Sequence, residues 1–548
     1  MPAFHPRAEL STHEVTNQPE ALGDVALFTD PALSEAVGNA FARLPGADSE
    51  AIRAQSAHLD AFGRRTGSQK ARDWGRLADE NLPKLHAFNG QGMRIDEIEF
   101  HPAYHELMRL GLEGGVASRA WTHSEGGHIT HGALMAMMAF ADGGVCCPMS
   151  MTYAVTSVLK GEPWADAEWT PRVTTAAYDA RVLPAEQKTA ATMGMAMTEK
   201  QGGSDLRANS TRAIALDDDT VELHGHKWFC SAPMCDAFLT LAYEEAGLSC
   251  FLVPRWRPDG RRNAMEIQRL KDKLGDHSNA SSEIEYRGAW ARRIGPPGRG
   301  IATIIIMAHH TRYDCITGSA GAMRKAVLMA ANFVRQRTAF QKKLIDQPLM
   351  RNVLADLALE SEAALALAFR VGASFDAAAF DEHEAALSRV LTPIAKYWLC
   401  KRQPALVNEA LECFGGIGYV EETGMARLYR AAPLNAIWEG SGNVIALDIQ
   451  RALGNEKVKD AFDQEISRIG NEIDALKPLT GWLLAAKGEN ARLFAERAAL
   501  AFSADALPEG PLREAYITLR LMAPSHIWGA NADKIDQDYL IGRLMAAL

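Results

Sequence analysis

Eight cysteines are scattered through 548 residues, no two of them in a Cys-x-x-Cys pair, and no His-Glu-x-x-His run occurs. The common zinc frameworks are therefore excluded, and Cys146, Cys147, Cys230, Cys235, Cys250, Cys315, Cys400 and Cys413 read as reduced core thiols. No apolar stretch is long enough for a bilayer. The best, residues 134–155, is broken by Asp142, Gly143, Gly144 and Pro148, and reads as a buried helix and a turn. The first ten residues, MPAFHPRAEL, carry charge and proline where a secretory leader needs an apolar run, so a cytoplasmic protein without membrane attachment is expected. A basic excess is missing too. Against 58 Lys and Arg stand 68 Asp and Glu, a formal net charge of −10, which gives no general attraction for nucleic acid.

What is present is globular texture, 47% hydrophobic and 23% charged, over a length that calls for several domains. Residues 1–45 are mixed and broken by Pro, Asn and Asp, an arm without regular period. Residues 46–190 are rich in Ala, Leu and Met at helical spacing, punctuated by Pro83, Pro102 and Pro163. Residues 191–295 change to short alternating runs at 211–216, 221–223, 238–243 and 282–286. Asp217-Asp218-Asp219, His224-Gly225 and Pro258-Asp259-Gly260 separate them, which predicts a small antiparallel sheet or barrel. Residues 296–455 return to long helical patterns with content for four helices. Residues 456–548 add a further helical region broken at Pro478, Gly488, Pro508 and Pro524. Helices, then strands, then helices make an α+β chain with segregated domains.

Three segments carry chemistry. Met197-Thr198-Glu199-Lys200-Gln201-Gly202-Gly203-Ser204-Asp205 offers hydroxyls and two glycines that let backbone approach a ligand, though its residues alone read equally as a glycine turn. Glu412-Cys413-Phe414-Gly415-Gly416-Ile417-Gly418-Tyr419 follows a helix, so a C-cap and loop is the plain alternative, and without a preceding strand it is no Rossmann fingerprint. In Ile437-Trp438-Glu439-Gly440-Ser441-Gly442-Asn443 a carboxylate stands among apolar neighbours. Desolvation there raises its proton affinity and suits it to proton abstraction; the alternative is the start of a helix at 444–453.

Together the three segments resemble the acyl-CoA dehydrogenases. Residues 196–208 fit the family's first signature. Residues 412–427 fit the second through Gly415, Gly416, Gly418, Glu422 and Arg427, whereas Ala431 stands at its final acidic position. Arg337 and Phe340 followed by Gln347 match the family's R-x-x-F…Q segment, with Gln341 in place of the usual glycine. The closer likeness, over nearly the whole chain, is to the AidB-like branch associated with responses to DNA alkylation. It includes Asn17-Gln18-Pro19, residues 100–103, 147–152, 225–229, 269–275 and 347–351. The resemblance implies an N-terminal helical domain, a middle antiparallel β-domain, a C-terminal four-helix bundle and an extra C-terminal helical region, assembled as a homotetramer. It implies FAD as cofactor, with Met197, Thr198, Gly203 and Ser204 along the flavin and pyrophosphate, Phe229 against the ring and Ser231 near N5. Arg337, Phe340, Gln347, Glu412 and Gly416 would hold the diphosphate and adenosine across a subunit interface, and Trp438, Ser441, Gly442 and Asn443 would lie beside the flavin. Some relatives carry the catalytic glutamate on the first bundle helix, next to an arginine. Here that arginine is Arg312, a candidate substrate contact, and its predecessor is Thr311, which cannot act as a carboxylate. Glu439 is therefore expected to be the base.

The activity so implied is α,β-dehydrogenation of an acyl-CoA thioester, with hydride transfer to flavin N5 and an electron-transfer flavoprotein as acceptor. An oxidase using oxygen directly carries the same signatures. The alternative from another class is a flavoprotein that binds duplex DNA through its C-terminal region. Residues 455–548 carry 11 basic against 14 acidic side chains, a net of −3, so that reading is not favoured, although Arg451, Lys457 and Lys459 could make a local contact.

Overall fold

The computed structural model describes residues 15–47, 49–486 and 490–548; the start of the N-terminal arm and the break at Gly488 lie outside them. The N-terminal part is helical: α1 (Pro31–Phe41), α2 (Glu50–Thr66), α3 (Gln69–Glu80), α4 (Pro102–Glu113), α5 (Arg119–Thr122), α6 (Gly127–Ala141), α7 (Cys146–Leu159) and α8 (Pro163–Val173). Local chemistry sets the starts. Asp30, Ser49 and Ser68 accept from the second or third N–H of α1, α2 and α3, and Pro102 opens α4 where no N–H is needed. α6 and α7 form the buried helix–turn–helix expected of residues 134–155. Two findings depart from the pattern reading. Helix α1 lies within the stretch taken as an irregular arm, and a hairpin, β1 (Lys84–Phe88) with β2 (Arg94–Glu99), interrupts the helical region. The hairpin strands are short and half-exposed, and so lack a clean alternation of apolar side chains.

The middle domain holds β3 (Met193–Ala196), β4 (Arg212–Ala215), β5 (Thr220–Ser231), β6 (Ala237–Glu244), β7 (Gly247–Pro254), β8 (Met265–Leu270) and β9 (Ser281–Ile294). Pairings β6–β4, β4–β5, β5–β9, β9–β7 and β7–β6 close a circuit, with β8 added on β9 and β3 on β6. Most are antiparallel; β3 and β4 run parallel to β6. Strands β6 and β7 are buried on both faces, so the alternation that marks half-buried strands fades in them.

Three long helices, α9 (Gly300–Val334), α10 (Pro348–Ala377) and α11 (Glu382–Glu412), form the bundle. A short α12 (Met425–Ala431) precedes the fourth member, α13 (Gly442–Leu453), which is only 12 residues long. The two-residue strands β10 (Thr338–Ala339) and β11 (Lys342–Lys343) turn the chain between α9 and α10. The last region, α14 (Glu456–Glu472), α15 (Lys477–Ala485), α16 (Ala491–Ala506), α17 (Pro511–Ile517) and α18 (Gln537–Ala546), packs on the bundle. Buried ion pairs fasten it: Arg520 from this region and Arg402 of α11 both reach Glu360 of α10, at 2.7 and 2.8 Å. Burial works against charge on Glu360, but the two guanidiniums win and hold its carboxyl down at about 2. No helix among the described residues is long and apolar enough to cross a membrane.

Candidate active site

A cavity of about 1110 Å³ opens between the β-domain, the α6–α7 pair and the bundle. Single drug-sized ligands occupy roughly 300–1,000 Å³, so this space suits a large ligand or two smaller ones side by side. Met197, Thr198, Gly203, Ser204, Phe229 and Ser231 line its β-side; Arg312, Trp438, Glu439 and Ser441 line the bundle side. The first signature therefore faces the third segment, although some 240 residues of sequence separate them.

Glu199 fixes the signature turn. It is fully buried and accepts from Ser210 N and Oγ (2.6 and 2.8 Å), Thr211 N and Oγ1 (3.1 and 2.6 Å), Gln201 Nε2 (2.9 Å) and Lys227 Nζ (2.8 Å). Burial alone would raise its pKa, but Lys227 and these hydrogen bonds bring it well below the ordinary carboxylate range. Burial lowers the pKa of the Lys227 ammonium, whose acceptors among the described residues are Glu199 and the Leu241 carbonyl. Thr198 O then takes Trp228 N–H at 2.8 Å, joining the turn to β5 beside Phe229. Gly203 packs directly on Thr198: a Cβ there would sit 2.3 Å from Thr198 Oγ1.

Glu439 sits on a loop held from three sides. Its φ is +56°, a left-handed conformation that non-glycine residues adopt at a cost. Lys396 of α11, itself buried, donates to the carbonyls of Trp438 (2.9 Å) and Gly440 (2.5 Å), and Arg312 Nε donates to the carbonyl between them, Glu439 O, at 3.0 Å. Arg312 is locked in turn by Asp448 of α13 at 2.7 Å. Three successive carbonyls are thus tied to cations, while among the described residues nothing accepts from the Glu439 N–H. The side chain keeps some exposure because it faces the cavity. Thr311 Oγ1 donates to Glu439 Oε2 at 2.7 Å. Desolvation raises the carboxyl's pKa, and the Thr311 hydrogen bond with the Arg312 and Lys396 charges offsets this only in part. A base with raised proton affinity, on a strained and braced loop at a cavity wall, is equipped to take a proton from a bound ligand.

Comparison with known proteins agrees with this geometry. Residues 17–180 match the adaptive response protein AidB N-terminal domain, 194–289 the acyl-CoA dehydrogenase middle domain and 298–454 the acyl-CoA dehydrogenase C-terminal domain. The Escherichia coli protein AidB is 44% identical over 449 residues, 81% of each chain. The chain belongs to the AidB branch of the acyl-CoA dehydrogenase family. Acyl-CoA dehydrogenase family member 11 of Caenorhabditis elegans is 33% identical over 77% of this chain and 70% of its own. The crystal structure of Caenorhabditis elegans ACDH-11 in complex with C11-CoA superposes with a TM-score of 0.81 at 26% identity, covering 100% of this chain and 95% of that one.

FAD is the cofactor of this family, and the cavity fits it: an aromatic face (Phe229), hydroxyls (Thr198, Ser204, Ser231) and a glycine cradle lie on one wall. Ser441 lies opposite at the start of α13, its side chain not used to cap that helix. Other expected cofactor residues lie elsewhere. Arg337, Phe340, Gln347, Glu412 and Gly416 do not line the cavity; they gather where α9, α10 and α11 meet at one end of the bundle. There Phe333 stacks on Phe414 at 4.5 Å, and Asn17 of the N-terminal arm bonds Thr338 N and O at 2.8 and 2.7 Å and accepts from Arg337. Asn443 turns away and accepts from Arg492 at 2.7 Å, and Gly442 packs against Lys401. Arg312, expected as a substrate contact, lines the cavity but donates to Asp448 and to the Glu439 carbonyl.

Sequence reasoning missed Lys396 and Asp448, and took Thr311 as a residue that lacks a carboxylate and as part of the cavity mouth, not as a hydrogen-bond donor to Glu439. A lone lysine inside the apolar run 387–400 was the available signal. His309 and His310 lie in an aromatic cluster, His309 stacked on Phe375 at 4.8 Å. His128 and His131 share the i, i+3 spacing of some metal sites, yet they bond Tyr153, Val116 and Asp314. The arginines within residues 255–262 are partly consumed: Arg255 donates to the Pro233 and Asp96 carbonyls, and Arg262 pairs with Glu97.

Proposed function

We propose that this chain is an FAD-dependent acyl-CoA dehydrogenase in which Glu439 removes the α-proton of an acyl thioester. The observation that carries this reading is the desolvated Glu439 carboxylate on a loop whose carbonyls are tied back and whose own N–H has no acceptor among the described residues. An enolate oxygen forming next to the base needs such a donor. Bound FAD supplies the hydride acceptor for the β-carbon. The residues of this chain orient the thioester, keep water out and hold the abstracted proton on the Glu439 carboxyl. An electron-transfer flavoprotein is the proposed electron acceptor. Anaerobic titration with a panel of acyl-CoAs, following bleaching of the oxidised flavin band, tests the assignment; no bleaching by any chain length refutes it.

The homotetramer and the cross-subunit role of the Arg337 group are proposed on the exposed apolar end of the bundle. Phe340 is 94% exposed there, with Leu349 and Tyr419 close behind. Arg337→Ala is expected to lower FAD content without loss of helical circular dichroism, since among the described residues its side chain bonds only the Asn17 carbonyl. Gly203→Val is expected to do the same through the clash with Thr198. Equal loss of cofactor and secondary structure would make both residues structural. The duplex-DNA reading finds less support: Lys459 pairs with Asp463 and Arg451 lies 3.5 Å from Asp448.

Thr311→Val tests the base directly. The hydroxyl stabilises the charged carboxylate, so its loss raises the Glu439 pKa further. A base must be deprotonated to act, and the acidic limb of the pH–rate profile for flavin reduction therefore moves to higher pH. A shift to lower pH, or none, would remove Thr311 from the account.

A further inference from the structure

One face of α9 lines the cavity along its length: Ile305 and Ala308 before the base, Gly318, Ala322 and Lys325 beyond it. From Thr311, which touches the base, to Lys325 the helix rises about 21 Å. At that far end the wall turns from apolar to charged. Lys325 is 6% exposed and lines the cavity, yet among the described residues it has no hydrogen bond and no carboxylate within ion-pair distance; its only recorded contact is the Phe140 ring, 5.7 Å from Nζ. Beside it, among the described residues, the Arg427 side chain makes no hydrogen bond: its buried Nη1 has only an ion pair with Asp142 at 3.8 Å. Buried donors without acceptors are costly and call for an explanation.

The nearby carboxylates supply only the Asp142 ion pair, which is too long for a hydrogen bond. Asp142 is engaged by Val145 N and Ser278 Oγ, and Asp79 by His277 N. Desolvation, with repulsion from Asp142, raises the pKa of Asp79, and desolvation likewise brings Asp276 up to about 7. The cluster keeps two cationic side chains, Lys325 and Arg427, without hydrogen-bond acceptors among the described residues. Ala431, where the family signature carries an acidic residue, lines the same end and offers no counter-charge. Desolvation lowers Lys325 to about 7, which a bound anion reverses.

We infer that Lys325 and Arg427 form a subsite for a carboxylate at the far end of the acyl group, so that the preferred thioester is an ω-carboxyacyl-CoA rather than a plain fatty acyl-CoA. This rests on the acyl-thioester reading above and narrows it.

The test uses the holoenzyme, with suberoyl-, sebacoyl- and hexadecanedioyl-CoA set against octanoyl-, decanoyl- and palmitoyl-CoA. Binding is read from the perturbation of the flavin spectrum before any turnover, and reduction from its bleaching. The wild type should bind its best ω-carboxyacyl thioester roughly 10- to 100-fold more tightly than the matched hydrocarbon, the usual range for charge-assisted hydrogen bonds. Lys325→Met keeps the stem, removes a buried charge and should erase that preference with FAD content and melting temperature retained. Arg427→Gln should weaken it in the same direction. Equal or tighter binding of the hydrocarbon chains by the wild type overturns the inference and leaves the dehydrogenase reading standing. Loss of FAD in Lys325→Met also overturns it, by assigning the subsite to a cofactor phosphate. If neither series perturbs the flavin, the acyl-thioester reading falls and this inference falls with it.

Discussion

Glu439→Gln is expected to keep FAD and fold and to lose flavin reduction by acyl-CoA. The amide is nearly isosteric, and the loop that carries it is braced through backbone carbonyls that the substitution leaves in place: Trp438 and Gly440 on Lys396, Glu439 itself on Arg312. Thr311 can still donate, now to the amide oxygen. What disappears is the acceptor for the α-proton. General-base catalysis contributes about 10²–10⁴-fold, and the loss should reach at least the top of that range because hydride departure from the β-carbon depends on the same proton leaving. Rapid-mixing reduction kinetics on wild type and variant make the measurement. An undiminished rate would move the base away from Glu439, and Asp314 would then be the next carboxylate to test. It lines the same cavity with Oδ2 unpaired, while its Oδ1 lies 2.6 Å from His131.

The helix–strand–helix order was legible because the period of apolar residues changes near 191 and again near 296, and the structure follows those changes. The candidate base was legible only through the family resemblance, because a carboxylate between Trp438 and Gly440 reads by itself equally as the start of the following helix. Other features left no mark on the pattern. The hairpin at residues 84–99 is half-exposed, and β7 is buried on both faces, so neither shows the alternation by which strands are read. The brace around Glu439 was hidden for a different reason: Lys396, Arg312 and Asp448 come from three helices, and no local spacing announces that they converge. Glu199 and Lys227 likewise look like two ordinary charged residues until the barrel brings them together. Signatures report which residues touch a ligand; the groups that hold those residues still are dispersed along the chain.

That second layer supplies the other large effect. Glu199→Gln is expected to destabilise the β-domain by about 3–5 kcal/mol, the usual cost of breaking one half of a buried ion pair. Lys227 has no exposure, and its remaining acceptor would be the Leu241 carbonyl at 2.8 Å. The Ser210 and Thr211 N–H groups lose a charged acceptor at the same time. Because the Glu199 carboxyl is depressed in the folded state, its contribution is fully present above the unfolded value of about 4.3. It is lost only as pH falls toward the lower folded value, so the difference between wild type and variant should be flat from neutrality down to mildly acidic pH and shrink below it. The signature turn hangs on the same carboxylate, and FAD retention should fall along with the melting temperature. Lys227→Met placed on top of Glu199→Gln removes the stranded ammonium and should recover much of the lost stability. Denaturant melts of the two single variants and the double variant measure the coupling. Strictly additive losses would show that the pair is not a unit and that the turn is held by the Ser210 and Thr211 hydrogen bonds alone.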